Sequence, residues 1–76
     1  MLNATTELPL AFEGHTARIV IEPLSQGGWH VRAEVDTRTL GWEQYMYWVQ
    51  VEHFHMRVQQ WLKHAEATER RVSCAV

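Results

Sequence analysis

Five histidines, nine acidic residues and one cysteine are the groups in this 76-residue chain that could bind metal or do chemistry. Glu52 and His55 stand three apart, which on a helix places them on one side and reproduces the Glu-x-x-His spacing of helical di-iron sites. Such sites draw further carboxylates from other helices, and only one helical segment is legible here. A solvated Glu/His face is therefore expected, and no metal. His53 and His55 are two apart and fall on different faces of a helix, so they cannot share an ion. His53 and His64 fall on nearly the same side.

Nucleophilic chemistry lacks parts. Ser25 sits in a loop and Ser73 near the C-terminus, and neither has a nucleophile-elbow context. Gly27-Gly28 precedes a strand pattern rather than a helix, so it fails the context of a phosphate loop. Cys74 has no neighbouring base to activate it. No catalytic residue and no cofactor are expected, and the chain does not read as an enzyme.

Nine acids against seven bases give a net charge of -2, which argues against an electrostatic nucleic-acid binder. The late bases Arg57, Lys63, Arg70 and Arg71 suit the negative end of a helix dipole. Met1 to Leu8 has neither the basic nor the apolar region of a signal peptide. The longest apolar run, Tyr45 to Val49, is too short to cross a bilayer. With a single cysteine no intrachain disulfide forms, and a cytoplasmic location is expected.

These groups must be positioned by a small number of elements. Leu8, Leu10 and Phe12 alternate as on a half-buried strand, with Pro9 tolerable at an edge. Gly14-His15 reads as a two-residue type II′ turn. Ala17, Ile19 and Ile21 then alternate against Arg18, Val20 and Glu22, and Pro23 stops that strand. After the Gly27-Gly28 turn, Trp29, Val31, Ala33 and Val35 oppose His30, Arg32, Glu34 and Asp36. Asp36 to Gly41 reads as a turn ending in a helix cap, Thr39 or Gly41.

A helix is expected from Trp42 to about Thr68, with Tyr47, Val51, Phe54, Val58, Trp61 and Ala65 as the stripe that covers the sheet. The predicted fold is α+β: a three-stranded antiparallel β-meander packed against one long C-terminal helix, β-β-β-α. Residues 1–70 are expected to form a single domain and 71–76 a flexible tail.

The run from Arg18-Ile19-Val20-Ile21-Glu22-Pro23 to Gly27-Gly28-Trp29-His30-Val31 resembles the strand, Gly-Gly-aromatic turn and strand that open HicB-type antitoxins. The resemblance covers about a quarter of the chain. The Pro- and Gly-rich segment that follows in that family is missing, since Val35-Asp36-Thr37 leads straight on. It implies an alternative role as an antitoxin-like or mobile-element-encoded regulator that sequesters a protein target. A small ligand- or metal-binding module is a third alternative.

The leading expectation comes from an excess of apolar side chains. About 27 helical residues span roughly 40 Å, against roughly 23 Å for a strand of about seven. Trp61 and Leu62 are expected on the overhang. A second stripe, Trp42, Tyr45 or Met46, Val49, His53 and Met56, runs beside the first, with Trp48 on another side. One three-stranded layer covers only one side of a helix, and aromatics and Met are the residues that interface cores enrich. The expected role is a non-enzymatic interaction or regulatory protein whose partner is a second copy, in a homodimer, or another protein. Its expected partner-binding residues are Trp42, Met46, Val49, His53, Met56, Trp48 and Trp61.

Overall fold

The computed structural model describes residues 4–74. It contains four strands and one helix: β1 (Thr6–Leu10), β2 (Ala17–Pro23), β3 (Trp29–Val35), β4 (Arg38–Tyr45) and α1 (Trp48–Cys74). The strands form one antiparallel meander in the order β1-β2-β3-β4, so β1 and β4 are the edges. The α+β class, the antiparallel sheet and the single C-terminal helix agree with the sequence pattern. The strand count is corrected from three to four.

The alternation of β2 and β3 sorts the sheet into two faces. Ile19 pairs with Ala33 and Ile21 with Val31, and all four are buried beneath α1. Leu10, Ala17 and Val35 extend this core, and α1 closes it with Val51, Phe54 and Leu62. Phe12 lies beyond the end of β1 but still packs on this cluster.

Two turns differ from expectation in kind. Leu10 pairs with Ala17, so the first connection is longer than a two-residue turn. Within it the His15 N–H donates to the Phe12 carbonyl oxygen at 3.0 Å, which makes Gly14, at φ 80°, the third residue of a four-residue turn. The second difference is Asp36-Thr37, which is a tight hairpin turn. Val35 pairs with Arg38, and both turn residues have positive φ, 50° and 71°, as a type I′ turn requires. That turn sends the chain back alongside β3 and creates β4 where a helix start was expected.

The Gly27-Gly28 turn is as the sequence suggests, and Gly28 has a specific reason to be glycine. Its φ is 82°, and a Cβ there would stand 2.5 Å from the Tyr45 carbonyl oxygen.

The helix starts at Trp48, not Trp42. Its N-terminus is half of a capping box: the Tyr47 N–H donates to Gln50 Oε1 at 3.1 Å. Neither Thr39 nor Gly41 caps it, because both lie on β4. The helix continues to Cys74, past the expected end near Thr68, and the rest of the expected tail lies outside the described residues. Leu62 is fully buried, so it is core and not overhang. The molecule measures 52 × 20 × 16 Å. No helix among the described residues is long and apolar enough to cross a membrane.

Candidate functional site

The expected partner-binding residues do not lie on one helical stripe. Trp42 is on β4, Met46 is in the link from β4 to α1, and Trp48, Val49, His53, Met56 and Trp61 are on α1. All seven are exposed. Their neighbours sort most of them into two patches and set Trp48 apart.

The first patch flanks the β4 edge. Trp42 pairs with Arg32, which places it on the sheet face opposite α1, and its ring stacks on His30 with centroids 5.3 Å apart. On the helix side of the same strand, a groove of about 450 Å3 runs between β4 and α1. Leu40 and Glu43 line it from the strand; Phe54, Val58 and Trp61 line it from the helix. Arg57 spans the groove, donating from Nη2 to the Tyr45 hydroxyl at 2.8 Å, with its guanidinium carbon 6.0 Å from the centre of the Phe54 ring. Trp61 and Leu40 are 58% and 48% exposed. Trp61 was expected in the sheet-covering stripe, but Leu62 takes that place and Trp61 stands at the rim.

The second patch is the side of α1 turned away from the sheet. Val49, His53 and Met56 lie at spacings of four and three on the side opposite Val51, Phe54 and Leu62. Met46 and Tyr47 precede the helix and are 61% and 67% exposed. Tyr47 was also expected in the core stripe; it precedes the helix and faces solvent. Trp48 belongs to neither patch, since its ring meets Trp29 edge-on with centroids 5.2 Å apart.

The opposite edge of the sheet is finished differently. Gln59 bonds both backbone groups of Ala11, and Glu66 Oε1 accepts from the Glu13 N–H. His55 Nε2 lies 3.3 Å from the Pro9 carbonyl oxygen and bonds it when that nitrogen carries the proton. Pro9 itself offers no donor. Along β1 itself the edge is thus interrupted by Pro9 and its contact with His55, and Gln59 and Glu66 hold the chain just beyond the strand. Among the described residues no side chain bonds the backbone of β4, whose residues are all exposed except half-buried Tyr45.

The face of the sheet away from α1 carries an ion-pair chain, Glu7–Arg18–Glu34–Arg32–Glu22. Arg18 Nη2 reaches Glu34 Oε1 at 2.9 Å, and Arg32 Nε reaches Oε2 at 2.7 Å. These two guanidiniums, Arg32 first, hold the Glu34 carboxyl below the ordinary carboxylate range. Val20 lies on this face, paired with Glu7 and Arg32, yet is only 2% exposed. The stems of the flanking charged side chains cover it. At the end of the sheet Asp36 accepts from the Thr16 N–H at 3.0 Å and meets His15 Nδ1 at 2.5 Å. Both contacts lower its carboxyl, His15 more strongly.

Among the described residues no group of three or more His, Cys, Asp or Glu side chains is placed to hold a metal ion. His55 of the Glu52/His55 pair is turned towards β1.

Leu40 and Arg57 are the surface residues that sequence reasoning missed. No alternation marks Leu40, because it is the extra residue at the register shift between Ala33 and Glu34.

No protein-family model matches the chain, no curated protein matches it, and no solved structure matches it.

Proposed function

We propose that this chain is a non-enzymatic protein-interaction protein that works as a homodimer. The observation behind this reading is the exposure of large apolar side chains. Leu40, Trp42, Met46, Tyr47, Val49, Met56 and Trp61 are each about half exposed or more on a chain of 76 residues. A small monomer gains nothing by leaving two tryptophans and two methionines in water. Patches of this composition are what interface cores use. Symmetric homodimers are the commonest soluble assemblies, which favours a second copy as the partner.

Light scattering on the purified protein over a concentration series tests the reading. A mass near twice the 8.9 kDa of the chain supports it. A single-chain mass at every concentration overturns self-association.

A further inference from the structure

We infer that the homodimer is built by antiparallel pairing of β4 with β4 of a second copy, in the register that sets Arg38 opposite Glu43. This rests on the self-association reading and names the surface that carries it.

The first argument is the contrast between the two edges. Along β1, Pro9 offers no donor and His55 of α1 reaches its carbonyl oxygen, whereas β4 is an eight-residue exposed strand without proline or lysine. A strand of that kind is a template for another strand. In an antiparallel ladder closed by a two-residue turn, the pair flanking the turn exchanges hydrogen bonds and the next pair does not. Thr39 and Trp42 fall at such non-bonded positions opposite Glu34 and Arg32, so their backbone groups point away from β3.

The second argument is charge complementarity, and it depends on the bulge. Thr39 pairs with Glu34 and Gly41 with Ala33, leaving Leu40 as the extra residue. Arg38 and Glu43 are five apart, and in a regular strand they would face opposite sides. The bulge shifts the parity. Arg38 now pairs with Val35 and Glu43 with Val31, four apart on β3, so both lie on the α1 side of the sheet. Thr39 and Trp42 likewise share the other side.

A two-fold axis through the Leu40-Gly41 bulge therefore brings Arg38 of each copy opposite Glu43 of the other and joins Thr39 to Trp42 by backbone hydrogen bonds. No side chain changes face. Two opposite-charge pairs form where the register one step further along would put Arg38 against Tyr45. A strand pair alone falls short of the roughly 1,200 Å2 that a stable interface buries. Leu40 and Trp61 on one face and Trp42 on the other supply the apolar remainder. Both helices then lie on the same side of one eight-stranded sheet.

The test is a charge swap read by sedimentation equilibrium at low salt, with thermal unfolding to verify each fold. Arg38→Glu and Glu43→Arg each place like charges opposite one another twice, and each should weaken dimerisation roughly tenfold. The double variant Arg38→Glu/Glu43→Arg should restore it. Val49→Asp/Met56→Asp on the outer side of α1 should leave the dimer intact. A wild-type dimer that ignores the single charge variants, or that the double variant fails to restore, overturns the β4 pairing. If Val49→Asp/Met56→Asp then dissolves that dimer, self-association stands and belongs to the helix. A wild-type monomer overturns the underlying reading itself.

Discussion

The side chain of Gln59 on α1 grips the backbone of Ala11 from both sides, accepting from its N–H and donating to its carbonyl oxygen, each at 2.8 Å. Forty-eight residues separate the two in sequence. This contact anchors the helix over the β1–β2 end of the sheet, as the Arg57–Tyr45 hydrogen bond anchors it near β4. The helix crosses the sheet between these two ties.

The Gln59 contact gives a first prediction. Gln59→Ala leaves both Ala11 groups to water and removes two exposed hydrogen bonds. The expected loss is about 1 kcal/mol of unfolding free energy, because exposed bonds are largely replaced by solvent. Urea unfolding measures it. Faster amide exchange at Ala11 with unchanged exchange in β3 would localise the effect to this edge.

The Asp36-Thr37 turn gives the second. Thr37 is β-branched and held at φ 71°. The left-handed region costs a non-glycine residue about 1–2 kcal/mol. Glycine removes that cost and adds an entropic penalty of roughly 0.5–1 kcal/mol. Thr37→Gly should therefore stabilise the fold by about 0.5–1 kcal/mol, seen as a higher urea midpoint at unchanged slope. A lower midpoint would mean that the Thr37 side chain contributes more than its backbone strain removes.

That turn also explains what the sequence concealed. β2 and β3 were legible because one face of each is apolar and buried and the other is mainly charged, a period of two to which Val20 is the apolar exception. β4 breaks this in three ways. Its turn lacks glycine, its alternation is interrupted by the extra residue Leu40, and as an exposed edge it carries no buried face to impose a pattern.

Trp42, Tyr45 and Met46 then fall at helical spacing by coincidence. The helix register slipped for a related reason. Tyr47, Val51, Phe54, Val58 and Trp61 repeat every 3.5 residues, while a straight helix turns every 3.6, so by the fourth turn Leu62 faces the sheet in place of Trp61. The excess of exposed apolar side chains was legible in the composition. Their division between β4 and the outer side of α1 was not, because it depends on β4.

The Glu34 junction sets the third prediction. Its carboxyl is depressed by Arg32 and Arg18, and Asp36 is depressed by His15 and the Thr16 N–H. A carboxylate whose folded value lies below its unfolded one stabilises the fold fully above the unfolded value, about 4 for these groups. That contribution is lost as pH falls through the folded value. Stability should thus be flat near neutrality and decline in acid below about pH 4. Glu34→Gln should lower stability at pH 7 and flatten the acid slope, and Asp36→Asn should do the same independently. Urea midpoints measured from neutral to strongly acidic pH check this. An unchanged acid slope in both variants would remove these carboxylates as the cause.

Trp61 and Leu62 are adjacent in sequence and opposite in consequence. Leu62 is 0% exposed and closes the core beneath α1, whereas Trp61 is 58% exposed at the groove rim. Leu62→Ala opens a cavity among Ile, Val and Phe side chains and should cost about 2–5 kcal/mol, a large part of the stability of so short a chain. Trp61→Ala removes a ring that lies outside the core cluster, and should cost less than about 1 kcal/mol. On the proposed homodimer its effect should appear in association, as a weaker dimer with an intact circular dichroism spectrum. The two variants together separate folding from binding on one helical turn. If Trp61→Ala unfolds the chain as Leu62→Ala does, the exposed rim is structural and its share in partner binding falls away.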